Sequence, residues 1–210
     1  MQGSHFKRGF TEGEALQVNV IDFDTDIVHP HGVVKLYTVA DLIVASNRVV
    51  ICDPYEVYDE VVRVSIPTQP GRYPVIMSAA QTPRFQTLLY AMLKLESTAP
   101  LRWELLGEYT TSYVRGSFMD GIVADFLSKR VEQEEDYVEY VDSLVVEQLV
   151  QHDSNGWSWA DVQIRSDIDA NFVLFDGLPS TGSFEVLGGY DGFGELSQVV
   201  IDYRMIRNEE

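Results

Sequence analysis

The residues best placed to do chemistry lie in VNVIDFDTDIVHPHG, positions 18–32. Asp22, Asp24 and Asp26 recur at every second position, which on a strand sends all three side chains to one side, and His29 and His31 lie just beyond. Like charges on one face repel unless water or a cation sits between them. These five residues therefore form a candidate divalent-cation site with imidazole in support, and a metal-activated water there would suit a hydrolase. The pattern departs from an EF-hand loop, which requires glycine and glutamate where this chain has Ile27 and Val33. It also departs from the acid pair of phosphatases: the expected threonine is missing, and no downstream lysine and acid complete the set. The competing reading is a solvated edge strand kept from pairing by its charge.

A second stretch, GYDGFGELSQVVIDY (189–203), combines glycines with acids. Anion-binding glycine loops feed the N-terminus of a helix, whereas this one feeds a strand-like tail. It reads as a tight hairpin, with Asp191-Gly192 and Gly194 supplying positive φ at its corners. Cys52 precedes Asp53, an acid that disfavours the thiolate, so it reads as a small apolar filler at a strand end with Asp53-Pro54 opening a turn. The chain has no G-x-S-x-G elbow, phosphate-binding P-loop or H-E-x-x-H helix. His152, at the end of a helical stretch, suits the helix dipole. Trp157, Trp159 and Tyr190, together with Trp103, Tyr109 and Tyr113, could anchor an interface if exposed, with Asp191 beside them.

The elements that must position these residues are mostly strands. Alternating or apolar runs at 16–23, 32–39, 47–52, 60–66, 73–79 and 85–96 are separated by proline and glycine turns, and 102–114 continues in the same style. The period then becomes helical: Met119, Ile122, Val123, Phe126 and Leu127 over 119–130, followed by a long helix over 134–153. That helix places Tyr137, Val138, Val141, Leu144, Val145 and Leu149 on one broad face and three acids in its first turn. Strands resume at 158–166, 171–177, 183–189 and 195–206. The expectation is an α+β protein, predominantly antiparallel β, a sandwich or curled sheet. It forms a single domain over 1–210 with a helical insertion at about 119–153.

Composition narrows the function. Of the 210 residues, 33 are Asp or Glu and 15 are Lys or Arg, a net charge of −18 that opposes nucleic acid and anionic membranes and leaves a basic protein as a partner. A lone cysteine excludes an internal disulfide, and the longest apolar run, LLYAML, is too short to span a bilayer, so a cytoplasmic protein is expected. The excess acid is also compatible with a role in solubility alone.

Five segments in order, NRVVICDPY, PGRYPVIMS, LRWELL, MDGIVADF and NFVLFDG…TGSFEVLGGYDGFGELSQVVIDY, resemble a bacterial family known as domain of unknown function 4241 over residues 43–203. The last segment in that family reads G-D-G-x-Y followed by G-x-D-x-x-G. This chain keeps Gly182, Phe184, Gly189, Asp191 and Gly194, and carries Thr181 where the family has an acid. The resemblance implies a bacterial, β-rich soluble domain without an established activity, and Thr181 weakens an enzymatic role carried over from it. Three functions remain open. One is an acidic protein-binding module, such as an immunity protein that neutralises a basic toxin. Another is a metal-dependent hydrolase or metal-binding protein built on the Asp/His cluster and joined in space by Asp53 or Asp191. The third is a scaffold domain with no ligand of its own.

Overall fold

The computed structural model describes residues 15–16, 20–22, 27–29, 32–81, 86–164, 166–178, 180–203 and 205, with backbone alone before residue 33. The apolar runs become strands: β1 (Ala15–Leu16), β2 (Val20–Asp22), β3 (Ile27–His29), β4 (Gly32–Val44), β5 (Arg48–Cys52), β6 (Val64–Pro67), β7 (Gly71–Gln81), β8 (Gln86–Lys94), β9 (Arg102–Thr111) and β10 (Arg115–Asp120). Two helices follow, α1 (Gly121–Val131) and α2 (Tyr137–Gln151), and then β11 (Ser158–Val162), β12 (Phe172–Asp176), β13 (Gly182–Tyr190) and β14 (Leu196–Asp202). The strands form a seven-stranded sheet in the order β1-β4-β7-β8-β14-β13-β9, a five-stranded sheet β11-β12-β10-β5-β6, and the pair β2-β3. Every pairing is antiparallel. The α+β, mostly antiparallel architecture expected from the sequence is the one observed.

Side-chain alternation builds the layers. In the five-stranded sheet Val49, Ile51, Phe118, Val173 and Phe175 point into a core shared with the large sheet, while Val50, Cys52, Met119, Phe172 and Leu174 point the other way, onto the helices. A sheet buried on both faces needs apolar residues at consecutive positions, which is why NFVLFD shows no alternation. The large sheet likewise puts Leu88, Ala91 and Leu93 inward and buries Tyr90 and Met92 on its outer side. Gly116 lets this core close, since a Cβ there would meet Phe175 and the Tyr109 hydroxyl at 2.4 and 2.5 Å. No helix among the described residues is long and apolar enough to cross a membrane.

Boundaries moved in three places. Residues 115–120 form strand β10, not a helix start: Met119 is its fifth residue, and α1 begins only at Gly121, where Asp120 caps the Ile122 amide at 2.7 Å. Helix α2 starts at Tyr137 with Asp136 as its cap, so Glu134 and Glu135 precede it and its first turn holds one acid, Glu139. Its buried stripe is narrower than expected, Tyr137, Val141, Val145 and Leu149, with Leu144 half-buried and Val138 exposed, because one helix lying on a sheet covers only a strip of its own surface. The run 60–66 divides into a 3-10 turn, Glu60–Val62, and strand β6. As the sequence indicated, Asn155 and Gly156 turn the chain after α2, both at positive φ.

Candidate functional site

The expected cation site falls largely outside the described residues. Asp24, Asp26 and His31 are not among them, and Asp22 and His29 are placed by backbone only, on β2 and β3, where Asp22 pairs with Ile27 and Val20 with His29. Among the described residues no three His, Cys, Asp or Glu side chains converge in a way that could hold a metal ion.

The glycine-rich stretch is a hairpin between β13 and β14, and Asp191 is its internal brace. The amides of Phe193 and Glu195 donate to its Oδ1 at 2.8 and 3.0 Å, and the Thr98 hydroxyl donates to Oδ2 at 3.2 Å. Burial alone would raise its pKa. The donors from Glu195, Phe193 and Thr98 outweigh that and hold it below the usual carboxylate range. Of the glycines expected to need positive φ, Gly194 does (+84°), while Gly192 stays in ordinary backbone space. Asp191 is buried and committed to the turn, so it presents little to a partner.

Beside this hairpin lies a cleft of about 430 Å³ between the β5–β6 corner of one sheet and the β8 and β14 ends of the other. Glu96 and Glu195 set its charge, with the hydrogen-bonded Asp191 behind them, Tyr73 and Leu196 supply apolar surface, and Asn47 and Thr68 add polar groups. Burial and Glu96 both push the Tyr73 phenol up, so it stays neutral. Such a lining admits a cationic side chain and repels an anion.

Cys52 and Asp53 sit at the foot of β5, both buried. Burial and the neighbouring carboxylate push the Cys52 thiol up, away from a nucleophilic thiolate, consistent with its reading as packing. Asp53 caps the 3-10 turn Pro54–Glu56: the Tyr55 amide donates to Oδ1 at 3.0 Å and the Thr111 hydroxyl to Oδ2. Burial pushes its pKa up to about 6 against the pull of those two donors. Nearby, Tyr109 and Tyr203 bring their hydroxyls close inside the intersheet core without a well-formed hydrogen bond, and burial holds both well above the ordinary tyrosine range. All four side chains are buried, and of them Asp53 links the foot of β5 to the end of β9 through Thr111.

The aromatic candidates divide. Trp157 is buried, donating from Nε1 to the Gln86 side chain at 3.2 Å and tilting against Tyr37, so it holds the core. Trp159 is half-buried and stacks flat on His152 with ring centroids 3.7 Å apart. Tyr190 is half-buried under the Arg102 guanidinium, 4.5 Å from its ring centre. Tyr109 is buried, Trp103 half-buried, and Tyr113 exposed and stacked on Tyr55.

The strongest surface feature was missed by reading motifs. Between Gly121 and Asp153 the chain carries nine carboxylates against Lys129 and Arg130. Seven of the nine are exposed, and the helices bearing them form one outer layer over the five-stranded sheet. Within that layer Val138, Val146 and Val150 lie along α2 at spacings of eight and four residues, all on its solvent side. Counting charge segment by segment would have located this face; totalling it over the chain did not. No family model matches the chain, and no curated protein or solved structure matches it.

Proposed function

We propose that the protein is an acidic binding module that captures a basic protein on its helical face, in the manner of an immunity-type neutraliser, acting in the cytoplasm and without affinity for nucleic acid. The observation that carries this reading is the acid crowded on α1, α2 and their connection, around an exposed row of valines. Concentrated charge of one sign speeds encounter with a partner of the other sign and rejects like-charged competitors, while apolar residues among the charges supply surface that gains from burial. The acidic cleft beside the 191–195 turn would accept single Lys or Arg side chains as a lesser contact. The resemblance to family 4241, a bacterial family without assigned activity, is compatible with this role.

The test is titration calorimetry against a Lys/Arg-rich amphipathic helical peptide, with the salt concentration varied. Binding should weaken steeply with salt. Reversing Glu135, Glu139 and Glu147 to lysine should cost at least tenfold in affinity. Reversing Asp59, Glu108 and Asp169, which lie outside the 121–153 stretch, changes net charge equally and should cost little. Equal losses in the two sets would reduce the effect to net charge and defeat the assignment of a face, and no binding by the parent at low salt would defeat the function.

A further inference from the structure

β9 closes one side of the seven-stranded sheet, and among the described residues it pairs with β13 alone. An edge strand presents unpaired N–H and C=O groups, and proteins usually guard such edges with lysine, proline, a bulge or short length. β9 spans ten residues and contains no lysine or proline. Its register shift lies past Leu105, leaving the first half regular. By contrast, β6 at the edge of the other sheet has four residues and ends in Pro67, and β11 at the opposite edge packs against α2.

The open half reads Leu101-Arg102-Trp103-Glu104-Leu105 and is chemically palindromic. Laid antiparallel against a second copy with Trp103 on the two-fold axis, Leu101 meets Leu105, Arg102 meets Glu104 and Trp103 meets itself. Alternation puts the three apolar residues on one side, the outer side of the large sheet where Trp103 and Leu187 already pack, and the charges on the other. Leu101 is 77% and Leu105 59% exposed, and Trp103 between them is half-buried. Arg102 and Glu104 already form an ion pair along the strand; a second copy would convert this into an alternating ring of four charges. Opposite charges and matched apolar pairs across strands are what stabilise sheet pairing. We propose that two copies join edge to edge through residues 101–105, fusing their large sheets into one continuous sheet about a two-fold axis.

Self-association must overcome repulsion between two chains of net charge −18, so it should tighten with salt, opposite to the behaviour of a complex with a basic partner. The two readings therefore fail separately. Sedimentation velocity from micromolar to several hundred micromolar, at low and high salt, should show a 23.8 kDa species giving way to one of twice that mass, more so in salt. Glu104→Arg sets two arginines against each other across the axis and should weaken the dimer at least tenfold. Adding Arg102→Glu restores the complementarity with signs exchanged and should recover it. A Leu101→Cys, Leu105→Cys double variant should oxidise to a covalent dimer while neither single variant does, because Cys52 is buried and each new thiol faces the other position. Circular dichroism checks that each variant is folded. A monomer at every concentration and salt, a dimer indifferent to Glu104→Arg, or crosslinking by either single variant would each overturn the proposal.

Discussion

Asp53 is a carboxyl that the fold both uses and resists. Its two oxygens take the Tyr55 amide and the Thr111 hydroxyl, and Thr111 in turn accepts from the amides of Tyr113 and Arg115, so one side chain ties the foot of β5 to the turn before β10. Burial nevertheless favours the protonated form, raising its pKa from 3.8 to about 6. A folded-state pKa above the unfolded one means that folding takes up a proton. The group's contribution is complete below about pH 4 and is lost as pH climbs through about 6, a swing on the order of 3 kcal/mol. In Asp53→Asn, with no proton to bind, that swing should vanish; the amide oxygen can still accept from Tyr55, while its nitrogen cannot accept from the Thr111 hydroxyl, which costs a contact at every pH. Urea unfolding of parent and variant between pH 4.5 and 8 checks this: the stability difference, variant minus parent, should grow in the variant's favour as pH rises. A difference that stays constant across the range would mean that Asp53 titrates at its ordinary value.

At the scale of elements, two buried polar side chains hold the layers in place. The Asp120 carboxylate accepts from the amides of Ala45 and Ser46 and from the Ser46 hydroxyl, and also caps α1, so it fixes the helix start to the β4–β5 turn. Asn171, just before β12, accepts from the Ile43 amide at 2.6 Å and donates to the Asp41 carbonyl at 2.9 Å and to Asp161, joining β4 of one sheet to β11 of the other. Asn171→Ala would strand all three partners and should cost on the order of 3 kcal/mol in chemical denaturation, whereas Asn47→Ala, at an exposed position, should stay within about 0.5 kcal/mol. A loss at Asn171 no larger than at Asn47 would mean that water replaces these contacts. Such links also mark the limit of what the sequence discloses. Strand identity was legible because alternation and turn chemistry are local, and the 191–195 hairpin was legible for the same reason. β10 was not, since Phe118-Met119 suits either period and runs straight into α1. Sheet membership was not, because β4 and β5 are neighbours in sequence yet enter different sheets, and β14 inserts between β8 and β13 only through distant contacts. Trp157 and Trp159 look alike in sequence, and only packing decides that the first is interior.

Across the whole molecule, 33 acids against 15 bases leave a net charge of −18 whose mutual repulsion acts on the folded chain at every point. Among the described residues several compensating ion pairs lie at the surface: Arg48 with Asp125 at 2.7 Å and Arg72 with Asp169 at 3.5 Å both keep much of their side chains in water. Exposed pairs of this kind contribute little. Salt therefore has more repulsion to remove than attraction to lose. Raising ionic strength from about 0.01 to 0.15 M shortens the screening length from roughly 30 to 8 Å, less than the breadth of the acidic helical layer. Relief of even about 1 kcal/mol should raise Tm by roughly 2–4 °C for a chain of this size. Scanning calorimetry at neutral pH should record that rise in sodium chloride and a smaller one in sucrose at equal osmolality. Because salt is also expected to promote edge-to-edge pairing, the Glu104→Arg variant separates the causes. If self-repulsion is responsible, the variant gains as much as the parent; if the parent alone gains, the stabilisation belongs to association. A Tm that falls with salt in both would mean that the surface pairs outweigh the excess charge.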